Sequence, residues 1–154
     1  MSATRSPQRM IPASEGFQVK HPNGADMLIK VFAADTDGAY SLMETTLPPG
    51  AIVPRHVHED EDENNLILEG ELTMHIGNTT YVAGPGAYVI APRGVEQHFV
   101  NAGSGNCRFL TTFTPGGAEG FFKEAGELIK AAAPAKPDAG AIARLQEKYK
   151  LRYF

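Results

Sequence analysis

Over the first 115 positions apolar and polar residues alternate in short runs, and turn-forming residues interrupt them. Met27-Leu28-Ile29-Lys30-Val31-Phe32 reads as one strand and Ala39 to Leu47 as another, divided by Asp35-Thr36-Asp37-Gly38. Pro48-Pro49-Gly50 breaks the chain. Leu66-Ile67-Leu68 and Leu72-Thr73-Met74-His75-Ile76 form the arms of a hairpin turning at Glu69-Gly70-Glu71, and Gly77-Asn78 turns again into Thr79 to Ala83. After Gly84-Pro85-Gly86, the segments Ala87 to Ala91, Gln97 to Asn101 and Arg108 to Thr114 complete the series. Short strands recurring every 8–12 residues or so, with glycine and proline between them, predict an all-β sandwich or barrel. The period changes after Pro115-Gly116-Gly117. Phe121, Phe122, Ala125, Leu128 and Ile129 stand at helical spacing across Ala118 to Lys130, and Ile142, Leu145 and Tyr149 do so across Ala139 to Leu151. Between them lies the Pro/Ala linker Ala131 to Pro137. The pattern thus divides the chain into a flexible polar arm over 1–16, a β-barrel over 17–115 and a helical tail over 116–154. That tail is too short for a second domain and is expected to pack on the barrel or on a neighbouring subunit.

A chain of 154 residues is long enough for one domain with its own core, and its 16 glycines and 11 prolines suit many short strands. With 14 basic and 18 acidic residues the net charge is −4, which gives a nucleic acid nothing to bind to. No apolar run approaches the ~20 residues of a membrane span. Met1 to Ser14 carries Arg5 and Arg9 but no apolar stretch, so no secretory signal is expected. The single cysteine, Cys107, forbids an internal disulfide and points to the reducing cytoplasm; within Asn106 to Leu110 it reads as a buried strand residue. Five acids are consecutive, at Glu59, Asp60, Glu61, Asp62 and Glu63. Without them 14 basic residues face 13 acidic ones, so this one segment sets the sign of the charge.

The same segment is bounded by candidate chemistry. His56 and His58, at i and i+2 on a strand, share a face. A carboxylate returning on the next strand, Glu63, completes a facial set of nitrogen and oxygen donors for a divalent metal, with coordination positions left open. Taken alone, the pair reads better as two surface histidines beside an acidic loop.

The flanking spacing decides between them. Gly50-(5)-His56-x-His58-(4)-Glu63-(6)-Gly70, with the Leu68-Glu69-Gly70-Glu71-Leu72 turn, resembles the first motif of the cupin superfamily. Gly86-(5)-Pro92-Arg93-Gly94 and Asn101 resemble the second. Thr114 to Phe122 is similar to the segment that follows the barrel in quercetin-dioxygenase-like cupins. The resemblance implies an all-β cupin fold, a double-stranded β-helix (jelly-roll) barrel with a C-terminal helical tail, commonly a homodimer. One departure falls on the metal site. The second motif reads Pro-x-Gly-x-x-His-x-x-x-Asn, yet position 97 is Gln97 and the histidine, His98, comes one residue later. Pro92, Gly94 and Asn101 all keep the register, so alternation turns Gln97, Phe99 and Asn101 inward and His98 outward. A local bulge would instead swing His98 into the fourth ligand position. A glutamine carbonyl is a neutral and weaker donor than imidazole, and it can instead hydrogen-bond a substrate or a water.

With His56 and His58 inward, the residues expected to line the substrate pocket are Tyr40, Ile67, Met74, Phe99 and Phe113. His21 and His75 read as structural. The four outer acids of the run are expected to be a solvated loop at the barrel mouth, drawing cations and discouraging anions.

The resemblance implies a metal-dependent enzyme: a quercetinase-like dioxygenase acting on an enol or phenol of a small aromatic or polyketide-like substrate, with dioxygen as co-substrate. One divalent ion, held by His56, His58, Glu63 and Gln97, is expected. Iron, manganese, nickel or cobalt suits oxygen chemistry, while zinc points away from it. Glu63 would alternate between ligand and base. Two other readings stay open: an oxygen-independent isomerase, cyclase or decarboxylase working through an enolate, and a non-catalytic small-molecule-binding cupin.

Overall fold

The computed structural model describes residues 8–154, so residues 1–7 of the arm lie outside the described residues. In chain order the strands are β1 (Phe17–Lys20), β2 (Asp26–Val31), β3 (Ser41–Leu47), β4 (Ile52–His58), β5 (Asp62–Glu69), β6 (Leu72–Ile76), β7 (Thr79–Ala83), β8 (Tyr88–Ala91), β9 (Gln97–Val100) and β10 (Cys107–Thr114). Helices α1 (Glu119–Ala132) and α2 (Ala139–Lys148) follow, and the chain ends in β11 (Leu151–Tyr153). The strands form a six-stranded sheet, β1-β2-β3-β10-β5-β8, and a five-stranded sheet, β11-β4-β9-β6-β7. All pairings are antiparallel. The two sheets make a jelly-roll sandwich and do not close into one hydrogen-bonded barrel.

Alternation is visible in burial. Along β3, β5, β6 and β10 every second residue is buried, and Leu47, Ile67, Leu72, Met74, Phe99, Cys107 and Phe109 from both sheets meet in the main core. The hairpin turn at Gly70 needs glycine twice over. Its φ is 75°, and a Cβ there would stand 2.5 Å from the Asn106 carbonyl oxygen. Lys30 Nζ donates to the carbonyls of Pro12, Ala13 and Glu15, which fixes that stretch of the expected arm against β2.

The tail differs from its sequence reading at one end. Helical spacing was expected to run from Ala139 to Leu151, but α2 stops at Lys148. Lys150 takes a left-handed φ of 49°, which no helix continues through, and the next three residues form β11. The helices pack around Phe121, Ala125 and Leu151, joined by Ile142, Leu145, Tyr149 and Tyr153. No helix among the described residues is long and apolar enough to cross a membrane.

Candidate metal centre

β4 brings its histidines inward through an irregularity. Its register against β9 shifts between Val53 and His56, across Pro54, which has no N–H to give the ladder. Beyond that shift His56 and His58 both enter the sandwich, at 3% and 2% exposure. Glu63 arrives from β5 on the opposite sheet, so the cluster ties the two sheets together.

The tautomer of His56 follows from its neighbour. Its Nδ1 lies 2.7 Å from the Pro54 carbonyl oxygen; a carbonyl only accepts, so Nδ1 carries a proton and Nε2 is the nitrogen turned to the cluster. That Nε2 stands 3.4 Å from Glu63 Oε2, and His58 Nε2 stands 2.9 Å from the same oxygen. Donors about 3 Å apart are the spacing of neighbouring positions around one ion at roughly 2.1 Å. All three ligand atoms fall within 4.8 Å of one another. Neither ring nitrogen of His58 is satisfied as a hydrogen bond despite that close contact, which is what a donor set awaiting a cation looks like. The residues present therefore fit a divalent metal.

Electrostatics in the metal-free cluster agree. Burial pulls the His58 imidazolium pKa down, but contacts with Glu61 and Glu63 outweigh it and raise the value to about 9. Burial pushes the Glu63 carboxyl up, and the two histidines overcome this and hold it well below the usual carboxylate range. A proton on His58 thus occupies the place a cation would take.

Gln97 reaches the cluster at 2% exposure, and its Nε2 donates to Glu63 Oε2 at 3.0 Å. Its Oε1 is buried without a partner. His98 lies on the opposite face of β9, its ring stacked on His75 at 4.2 Å. The structure therefore brings Gln97 to His56, His58 and Glu63, and leaves His98 outside.

A cavity of about 570 Å³ opens from the His56–Glu63 edge and runs between the sandwich and the helical tail. Its walls are mostly apolar and include Met43, Phe99, Phe109, Phe121 and Ile142. Of the expected pocket residues only Phe99 lines it. Ile67 and Met74 belong to the closed core, Phe113 packs on the His58 ring at 5.3 Å, and Tyr40 precedes β3 at 41% exposure. Alternation found the inward face but not which part of it borders the void, because the void is closed by α1, α2 and β11.

Among the four outer acids of the run, Glu61 departs from the solvated loop expected. Glu59 pairs with Arg152, Asp60 with Lys150 and Asp62 with Arg93. Glu61 is 7% exposed, with its Oε2 3.8 Å from His58 Nδ1. Two residues at the site escaped sequence reasoning, Glu61 and Tyr153. Tyr153 is placed there by β11 at the end of the tail, of which the motif spacing carries no sign.

A double-sheet jelly roll with a His-x-His pair and a glutamate facing them is the cupin arrangement, and residues 43–113 match the cupin domain. Over 104 residues the chain is 28% identical to quercetin 2,3-dioxygenase of Bacillus subtilis (strain 168), a match taking in 66% of this chain and 31% of that protein. It is 32% identical over 80 residues to germin-like protein 1-2 of Oryza sativa subsp. japonica, covering 47% and 35% of the two chains. The chain spans about a third of the length of these curated relatives. Among solved structures, the polyketide cyclase RemF from Streptomyces resistomycificus superposes with a TM-score of 0.62 at 21% identity, over 70% of this chain and 80% of that one.

Proposed function

We propose that the chain is a metal-dependent cupin enzyme, a quercetinase-like dioxygenase acting on a small molecule with an enol or phenol oxygen. One observation carries the reading: the His56–Glu63 edge of the donor cluster opens directly onto a largely apolar cavity of about 570 Å³. A hydrophobic molecule can lie there with one oxygen at the cluster. The match to a quercetin dioxygenase supports the oxygen-consuming form. When bound, the metal supplies Lewis acidity toward that oxygen and, if it is iron, manganese, nickel or cobalt, a route to dioxygen.

The protein's own residues carry the remaining work. His56 and His58 present imidazole nitrogens, and Glu63 presents a carboxylate oxygen that also accepts the enol or phenol proton. Phe99 and Phe109 give the ring system an apolar wall, and residues of the helical tail line its other side. Gln97 stands at the fourth position. Rotating its amide turns Oε1 to the metal; left as it is, Nε2 steadies Glu63 and Oε1 accepts a hydrogen bond.

Gln97 is also the observation that favours a second reading. A neutral amide where the motif has imidazole changes the metal's redox behaviour and suits oxygen-independent enolate chemistry: an isomerase, cyclase or decarboxylase. Metal analysis of the purified protein, followed by oxygen-electrode traces with quercetin and simpler enols, tests the first reading. Oxygen uptake that vanishes when His56→Ala and His58→Ala are combined is expected. Turnover that persists under strict anaerobiosis sinks the dioxygenase in favour of the enolate enzyme.

A further inference from the structure

Tyr153 reaches the cluster from the far end of the chain. On β11 it pairs in register with His56 of β4, and directly opposed residues of antiparallel strands project to the same face. Its ring lies 5.5 Å from the His56 ring on one side and 6.1 Å from the Phe121 ring on the other. With His56, Glu63 and Phe99 it lines the inner end of the cavity. Burial first, and then the charge of Glu63, bear on its phenol, and no hydrogen bond to a described residue does. Tyr153 is half-buried, so its hydroxyl is open to a molecule entering the cavity. The segment that carries it is firmly anchored: Leu151 is buried, Arg152 turns outward to Glu59, and the Phe154 amide donates to the Arg55 carbonyl.

We propose that the Tyr153 hydroxyl donates a hydrogen bond to the ligand oxygen held on the open side of the His56–His58–Glu63 cluster, which makes it a catalytic residue supplied by the C-terminal strand. The assignment rests on the reading of that cluster as a metal site. Negative charge developing on an enol or phenol oxygen would there meet a donor already in place. Glu63 is the charged group on the face that Tyr153 shares, and its own oxygens accept from Gln97 and lie against the two histidines.

Cobalt(II) and the water it binds are sufficient as the probe. The visible spectrum of the cobalt-loaded full chain is followed against pH for the wild type and for Tyr153→Phe, with cobalt content and thermal midpoint measured beside it. A donor favours the hydroxide over the water, so removing it raises the ionisation midpoint, by about one pH unit, while cobalt content and thermal stability stay level. A Phe ring that merely fills the wall equally well leaves the midpoint where it was, and that result overturns the assignment alone. A wild-type chain that takes up no cobalt overturns the metal site and this assignment together.

Discussion

A histidine serves as a ligand when one ring nitrogen is free and aimed, and at His56 the Pro54 carbonyl favours this by accepting a hydrogen bond from Nδ1–H. At His58 the group facing Nδ1 is the Glu61 carboxylate, at 3.8 Å and beyond hydrogen-bond reach. These roles give graded expectations for metal content measured after dialysis. His56→Ala, His58→Ala and Glu63→Ala each remove a donor and lower affinity by roughly 100-fold or more, and Glu61→Gln, which only weakens the support of His58, by about tenfold. His98→Ala, on the outer face beside His75, leaves metal content unchanged. Loss of metal in His98→Ala with retention in Gln97→Ala would refute the inward placement of residue 97. That placement was legible beforehand, because strand alternation and the fixed points Pro92, Gly94 and Asn101 leave one register. Glu61 was not, since within a run of five acids nothing local separates a buried carboxylate from a solvated one. What buries it is the chain returning from residues far away: Gly117 lies so close that a Cβ there would stand 3.6 Å from Glu61 Oε1.

At the scale of elements, the strands between residues 27 and 114 were largely readable, because half-buried strands print their period of two on the sequence, whereas β1 was not read. β7 spans Thr79–Ala83, as the turns on either side of it predict, and the β5–β6 turn falls at Gly70. β11 was hidden because three residues cannot show a period, and because they follow a helix whose spacing Leu151 happens to continue. Its stability should come from that leucine. Leu151 is 2% exposed among Phe121, Ala125 and Tyr153, whereas Arg152 and Glu59 meet at the surface. In urea denaturation, Leu151→Ala is expected to cost about 2–4 kcal/mol through the cavity it leaves. Arg152→Ala should cost less than about 1 kcal/mol, as exposed ion pairs do. Equal effects would mean that charge rather than packing holds the tail to β4.

For the molecule as a whole, the net charge of −4 is concentrated where it matters for stability. Basic residues of the tail neutralise Glu59 and Asp60 at the surface, so the acids left acting on the interior are Glu61 and Glu63, against His58. In the metal-free protein His58 titrates at about 9 rather than its ordinary 6.5, so the stability it contributes is complete below pH 6.5 and is lost as pH rises toward 9. Glu63 is depressed, so its contribution is complete above its ordinary 4.5 and is lost as pH falls. Thermal midpoints of the metal-free chain should therefore be highest between about pH 4.5 and 6.5 and decline toward pH 9. A divalent metal reverses the alkaline limb, because it takes the place of the His58 proton and its affinity rises with each proton it no longer has to displace. With metal at 100 times its dissociation constant the gain is about 2.7 kcal/mol, or roughly 5–10 °C for a chain of this size. At constant free metal, the gap between loaded and metal-free midpoints is expected to widen from pH 6.5 to 9 and then level off. A gap that stays constant over that range would show that the metal does not compete with the His58 proton, and would place it away from this cluster.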